Sequence, residues 1–242
     1  MAFSFDRLAE IYEETREFPV FVMNRIVEKL VCELKGYGKV LEVGAGTGRY
    51  LKPLQDSGFE VVGIDVSLKM LKKATERGMR NTLRGSVCNL PFMDNSFDVT
   101  ISAGTLHLIR EWRIALQEMA RVTTVSFVSV VHRGRSPLGE AYKKLLIKYG
   151  CKLPQLGIAE RELGDMVKPT KCVDVVTYKA DAEKRLAHLD QKAYSYQWHI
   201  PERIHRRIMR KLKTTPFPKA YCLKIEILVW DIKEIERYSS IT

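Results

Sequence analysis

A chain of 242 residues whose apolar runs are no longer than strands has room for one large α/β domain, and it excludes a membrane span and a secretory signal, which leaves a cytoplasmic protein. Its five cysteines stand singly, with no Cys-x-x-Cys pair and no Cys/His cluster at ligand spacing, so reduced, mostly buried thiols are expected and no metal. The net charge of +11 is unevenly placed: residues 1–132 carry 17 Lys and Arg against 16 Asp and Glu, and residues 133–242 carry 23 against 13, so an anionic partner would meet the C-terminal part.

Val20 to Leu34 has apolar residues at Val20, Met23, Ile26, Val27, Leu30, Val31 and Leu34, a helical stripe that stops at Gly36. Val40, Leu41 and Val43 then read as a buried strand, Gly44, Gly46 and Gly48 turn the chain, and an apolar-periodic segment follows. Glycine suits such a loop because a side chain would block backbone approach to a ligand, and because free N–H groups lie at a helix N-terminus. An ordinary tight turn would look the same. Glu60 to Asp65 separates the two readings: it is a second apolar strand ending in a carboxylate about 20 residues past the loop, where a ribose hydroxyl pair is held. Arg49 stands where the dinucleotide fingerprint needs its third glycine, so the spacing argues against NAD.

Tyr50 to Ser57 reads as a helix shortened or bent by Pro53. Ser67 to Arg77 is the next, with Ser67 as N-cap and Gly78 at its end. Leu83 to Val87 holds a third strand and its loop, Phe97 to Ser102 a fourth, and Trp112 to Val122 a helix. Thr123-Thr124 leads straight into a fifth strand over Val125 to Val131.

Four motifs stand in order here: Glu42-Val-Gly-Ala-Gly-Thr-Gly48; Gly63-Ile-Asp65 with Ser67 and Met70-Leu71; Leu90-Pro-Phe-Met-Asp-Asn-Ser-Phe-Asp98; and Leu116-Gln-Glu-Met-Ala-Arg-Val122. With them the chain resembles the class I S-adenosylmethionine-dependent methyltransferases, especially the type 11 group that includes the ubiquinone and menaquinone methyltransferases. The resemblance implies a Rossmann-like α/β fold, a seven-stranded, mostly parallel sheet with helices on both faces and a helical cap insert in the C-terminal half. It also implies S-adenosylmethionine as methyl donor, no metal, and a cofactor set of Tyr12, Arg16, Glu42, Gly44, Ala45, Gly46, Gly48, Asp65, Val66, Met70, Ser86, Val87 and Ala103. Tyr12 and Arg16 belong to a helical lid over residues 1–38, or their helix only packs on the core. Asp65 holds the ribose, Glu42 fixes the loop or meets the methionine ammonium, and Met70 lines the adenine side. Ser86 replaces an Asp that in many relatives accepts from the adenine amino group, so either its hydroxyl substitutes or the backbone at Val87 and Cys88 holds the base. Ala103 to Leu108 follow the carboxyl end of the fourth strand, where open α/β sheets bind ligands. His107 is the titratable side chain there and the catalytic candidate, able to take a proton near neutral pH, or else a packing residue.

Beyond His132, Pro137 to Tyr149 and Ala159 to Val167 look helical, Cys172 to Tyr178 looks like a strand, and Tyr221 to Ile232 looks like a final strand forming an antiparallel edge. A single domain is expected, with residues 39–131 as cofactor core, residues 132–242 completing the sheet, and a cap insert over about 179–219. The insert holds Leu186-x-x-Leu189, an aromatic run from Tyr194 to Pro201, and a helix from Glu202 to Lys213 that sets Ile204, Ile208 and Leu212 on one stripe and its arginines elsewhere. It is similar in kind to inserts that close over the acceptor in small-molecule methyltransferases, which makes Tyr194, Tyr196, Trp198 and His199 the substrate-pocket candidates. Methyl transfer to a small molecule is therefore expected. The alternatives are an RNA methyltransferase using the basic C-terminal face, since aromatic residues beside arginines also stack bases, and a non-catalytic cofactor-binding partner subunit.

Overall fold

The computed structural model describes residues 5–7, 9–16, 18–153 and 156–240. Helix α1 (Tyr12–Arg16) and helix α2 (Val20–Glu33) lead into strand β1 (Lys39–Val43). Helix α3 (Leu51–Asp56), strand β2 (Glu60–Asp65), helix α4 (Leu68–Glu76), strand β3 (Thr82–Arg84) and strand β4 (Phe97–Ser102) follow. Helix α5 (Trp112–Val122) passes without a turn into strand β5 (Thr123–Arg133), which precedes helix α6 (Pro137–Lys148) and helix α7 (Glu160–Met166). The chain closes with strand β6 (Lys171–Asp181), helix α8 (Ala182–Asp190), helix α9 (Glu202–Thr214), strand β7 (Ala220–Asp231) and helix α10 (Ile232–Ser240).

The seven strands lie in the order β3-β2-β1-β4-β5-β7-β6, with β7 antiparallel to both of its neighbours and every other pairing parallel. Side chains of a strand alternate between faces, and the two faces bury separate cores. Val40, Val99, Ile101, Val128 and Ile225 pack with α2 and α3. Leu41, Val43, Phe127, Leu228 and Trp230 pack with α5, α7 and α10. The expected antiparallel strand is present but is not the edge: β7 lies inside, and β6 takes the outer position. Burial explains the exchange, because Ile225 to Leu228 and Trp230 of β7 are buried whereas β6 alternates exposed and half-buried residues along most of its length.

Helix α3 is short, as expected at Pro53: Lys52 N donates to Gly48 O at 2.8 Å and Leu54 N to Tyr50 O at 3.3 Å, but Pro53 has no N–H for the carbonyl of Arg49 between them, so the helical ladder is interrupted there. Ser67 caps α4 as expected, its Oγ accepting from Met70 N at 3.2 Å. Arg121 of α5 donates to Leu90 O, Phe92 O and Asp94 and pairs with Glu118, whose carboxylate takes Leu90 N, so the Leu90–Asp98 motif is clamped beside the sheet. The thiols are not mostly buried: Cys32, Cys172 and Cys222 are exposed, because each lies on the outward side of its helix or strand, and Cys88 and Cys151 are half-buried.

A third cluster joins α6, α8 and α9 into a cap, with Tyr142, Leu146, Leu189, Ile208, Met209 and Leu212 at its centre. On α9, Ile208 and Leu212 are buried as expected and His205 and Met209 join them, while Ile204 is only half-buried. His205 takes the inner place: its Nδ1 accepts from Tyr142 Oη at 2.7 Å while Nε2 donates to Asp190 O at 3.0 Å, so a polar side chain is satisfied inside. This bonding needs the neutral ring, and burial holds its pKa below the usual histidine value. A lowered folded-state pKa means stability that is whole above about pH 6.5 and is lost as pH falls below it. The melting temperature should therefore fall between pH 7 and pH 5, and His205→Gln should flatten that slope by on the order of 1 kcal/mol. Equal slopes in circular dichroism melts of the two proteins would contradict the assignment.

Candidate functional site

The carboxyl ends of β1, β2 and β4 open onto two adjoining clefts. Asp65, at the end of β2, accepts from Gly46 N at 2.9 Å and Ser67 N at 2.8 Å, tying the glycine loop to the start of α4. Burial raises its pKa, and the Ser67 and Gly46 amides oppose that shift. Gly44 has φ +68°, and a Cβ there would meet Thr105 Oγ1 at 2.1 Å, so its bare backbone lets the loop after β4 close against the loop after β1. Gly48 serves packing instead. Its φ is +71° and a Cβ would press on Met79 Cγ at 2.8 Å, and it lines neither cleft, so it drops out of the expected cofactor set.

The first cleft, about 360 Å³, is lined by Gly46, Asp65, Val66, Met70, Ser86, Val87 and Cys88. Ser86 Oγ accepts from Cys88 N at 3.2 Å and keeps its own O–H to donate, so it differs in kind from a carboxylate at that place. The second cleft, about 450 Å³, is lined by Arg16, Glu42, Ala45, Arg49, His107, His132, Glu160, Tyr194 and Tyr196. Phe5, Tyr12, Gly44, Ala103 and Gly104 line both and mark where they meet. Glu42 is 2% exposed, and its Oε2 has no hydrogen-bond partner. Burial, then the nearby Asp65 charge, pushes its pKa well above the carboxylate range.

Helix α1 is held by charge. Glu13 of α1 accepts from Thr47 Oγ1 and from Arg77 at 2.8 Å, with Arg49 at 3.5 Å. Burial works against its charge, but Arg49, Thr47 and Arg77 hold its pKa below the usual value. Arg49 also donates to Arg16 O at 2.6 Å, which fixes the end of α1 beside the second cleft.

The loop that carries His107 is pinned by Glu160, which is 4% exposed. Its Oε1 accepts from Ser102 Oγ at 2.9 Å, Thr105 N at 2.7 Å and Leu106 N at 3.1 Å. Burial lowers the His107 pKa and Glu160 partly restores it, so the ring is neutral at pH 7 and able to accept a proton. His132 is exposed and lines clefts that Arg16, Arg49 and Arg185 also line. Desolvation by its surroundings first, then Arg49, Arg185 and Arg16, bring its pKa down to about 4.

Of the four expected substrate-pocket residues, two line the second cleft. Tyr194 and Tyr196 stack there at 5.9 Å and 11°. Trp198 faces away: its Nε1 donates to Lys192 O at 3.1 Å and its ring buttresses Phe5 edge-on at 5.1 Å, so it acts behind the wall. His199 is exposed and outside both clefts. Ser195–Gln197 form a 3-10 turn with Trp198 at its C-cap, and that turn takes Trp198 out of line with Tyr194 and Tyr196, which residue type alone does not reveal. Glu160, His132 and Glu13 were not singled out from the sequence, and Arg49 was read only against the dinucleotide spacing, because a charged residue in a first helical turn, in a loop or on a strand gives no periodic signal of facing a cleft.

Known proteins match this arrangement. The family described as "Methyltransferase domain" matches residues 41–125. The chain is 36% identical over 154 residues to the demethylmenaquinone methyltransferase of Renibacterium salmoninarum, covering 62% of this chain and 65% of that one. It is 35% identical over 167 residues to the protein of that name from Corynebacterium glutamicum, covering 66% and 70%. Against three such relatives it spans 65%, 60% and 54% of their length. A solved structure described as an SAM-dependent methyltransferase, possibly a histamine N-methyltransferase, from Thermotoga maritima superimposes with a TM-score of 0.55 over 94% of this chain and 97% of that one, at 18% identity, and so shares its fold.

Glu42 yields a test of the electrostatics. A carboxyl group whose folded-state pKa is raised binds more protons folded than unfolded above about pH 4.5, so stability falls as pH rises through that range. Glu42→Gln is expected to be more stable than the parent at pH 8 by about 1 kcal/mol or more, with the gap closing towards pH 4.5. Urea unfolding at the two pH values checks this, and a variant less stable at pH 8 would contradict it.

Proposed function

Because the chain belongs to the class I S-adenosylmethionine-dependent methyltransferases, we propose that it transfers the methyl group of S-adenosylmethionine to a small molecule enclosed by lid and cap. The observation that carries this reading is the pair of carboxylates in adjoining clefts. Asp65 lies where ribose hydroxyls would be held, and Glu42 presents an unpartnered buried oxygen where the methionine ammonium would arrive. When bound, the donor's sulfonium supplies an already activated methyl group. The chain's own residues then orient and desolvate. Gly44, Ala45, Gly46 and Ala103 give backbone approach, while Val66, Met70, Ser86 and Val87 enclose the base. Tyr12 and Arg16 close over the junction, and Arg16 is placed for the methionine carboxylate.

The relatives are named for methylating demethylmenaquinone, and a planar acceptor ring suits the stacked Tyr194 and Tyr196. We assign His107 as the base that takes the acceptor's proton as the new bond forms. A small molecule is favoured over RNA because Arg203, Arg206, Arg207 and Arg210 line a groove of their own on α9 that shares no residue with either cleft. No helix among the described residues is long and apolar enough to cross a membrane. The cytoplasm is the compartment proposed, since its reducing environment keeps five unpaired cysteines as thiols.

Calorimetric titration with S-adenosylmethionine and S-adenosylhomocysteine should show micromolar binding, weakened about a hundredfold or more in Asp65→Ala, roughly what losing two hydrogen bonds to a charged group removes. His107→Ala should keep the S-adenosylhomocysteine affinity and lose about a hundredfold in kcat, the lower end of general-base contributions. Unchanged donor binding in folded Asp65→Ala would overturn the site assignment, and unchanged kcat in His107→Ala would leave the base elsewhere.

A further inference from the structure

We propose that the acceptor carries a carboxylate or phosphate group, and that Arg185 binds it in a third cleft beneath the cap; this rests on the methyl-transfer reading above. The third cleft, about 420 Å³, lies between α1, β6 and α8 and meets the second cleft at Arg16, His132 and Tyr194. Two guanidinium groups ride on one ring at that junction: Arg16 Cζ lies 4.4 Å and Arg185 Cζ 3.8 Å from the Tyr194 centroid. A ring face offsets only part of the cost of withdrawing a cation from water. Cations in such a place call for an anion.

The two arginines are not equivalent. Arg16 donates to Ala193 O at 2.7 Å and Thr15 O at 3.3 Å, and the donor's single carboxylate accounts for its remaining charge. Arg185 has no such assignment. Its Nε is buried without a hydrogen-bond partner, and among the described residues no carboxylate forms an ion pair with it. The acidic residue lining the third cleft, Asp181, uses its Oδ1 to cap α8, accepting from Glu183 N at 2.7 Å and Lys184 N at 3.0 Å. Tyr196 Oη, on the second cleft, is also buried without a partner. An acceptor lying along the Tyr194–Tyr196 pair would satisfy both, its anionic group on the Arg185 fork and its reactive end towards His107.

The test uses the full chain saturated with S-adenosylhomocysteine and three probes built on one ring system: 1-hydroxy-2-naphthoate, 1-naphthyl phosphate and uncharged 1-naphthol. Calorimetry should show at least one of the two anions binding about tenfold or more tightly than 1-naphthol, and which anion does so identifies the group. Arg185→Met keeps the apolar stem and removes the charge, and should bring anion and alcohol to parity. Arg185→Lys should retain part of the preference. The S-adenosylhomocysteine affinity should stay within about twofold in both variants, which also shows that they fold. No anion preference in the parent protein, including no binding of any probe, would overturn the proposal, as would a preference that survives Arg185→Met. Failure of S-adenosylhomocysteine to bind the parent would instead remove the methyl-transfer reading, and is seen separately in the first titration.

Discussion

The carboxylate of Asp65, tied to Gly46 N and Ser67 N, is the interaction on which the site depends. Parallel strands end together, and their loops diverge unless something joins them. Asp65 joins the loops after β1 and β2, and the bare backbone of Gly44 lets Thr105 of the loop after β4 settle against the loop after β1. Glu160 then holds that third loop through Ser102, Thr105 and Leu106. The clefts are thus the space left between three loops whose positions are fixed by two carboxylates, half-buried Asp65 and buried Glu160. Such groups are costly to bury, and here backbone amides supply most of the compensation.

The cavity is electrically divided. Glu42, Asp65 and Glu160 gather near the carboxyl ends of the strands, while Arg16, Arg49 and Arg185 gather towards α1 and α8. The division suits a zwitterionic donor whose ammonium and carboxylate must point in different directions. The basic excess of the C-terminal half therefore has two destinations. Part of it, Arg203 to Arg210, is a solvated face of α9, and part, Arg185, is turned inward. Net charge alone does not distinguish them.

The core of the fold was legible because it depends on local rules. The alternation of Val40, Leu41 and Val43, the Ser67 cap and the helical period of Trp112 to Val122 each act within a few residues, and each appears where the sequence put it. The C-terminal half was less legible because its outcome is set between elements. Whether β7 is an edge depends on β6, and whether Ile204 or His205 faces inward depends on Tyr142 and the Asp190 carbonyl. The same holds in the candidate site. Asp65 and the glycine loop sit on one βαβ unit and could be read from spacing, Glu42 was named through the family resemblance, and Glu160 and Arg185 reach the site from distant helices. Trp198 was misplaced because an aromatic residue can face a cavity or support its wall, and only its bond to Lys192 O decides.

The most direct measurement is a crystal structure of the chain with S-adenosylhomocysteine. The methyl-transfer reading predicts the ribose hydroxyls on Asp65, the ammonium on Glu42 Oε2, and the sulfur at the junction formed by Gly44, Ala103 and Gly104, open towards His107 and Tyr194. A ligand bound with its ribose away from Asp65, or with its sulfur closed off from the second cleft, would contradict it.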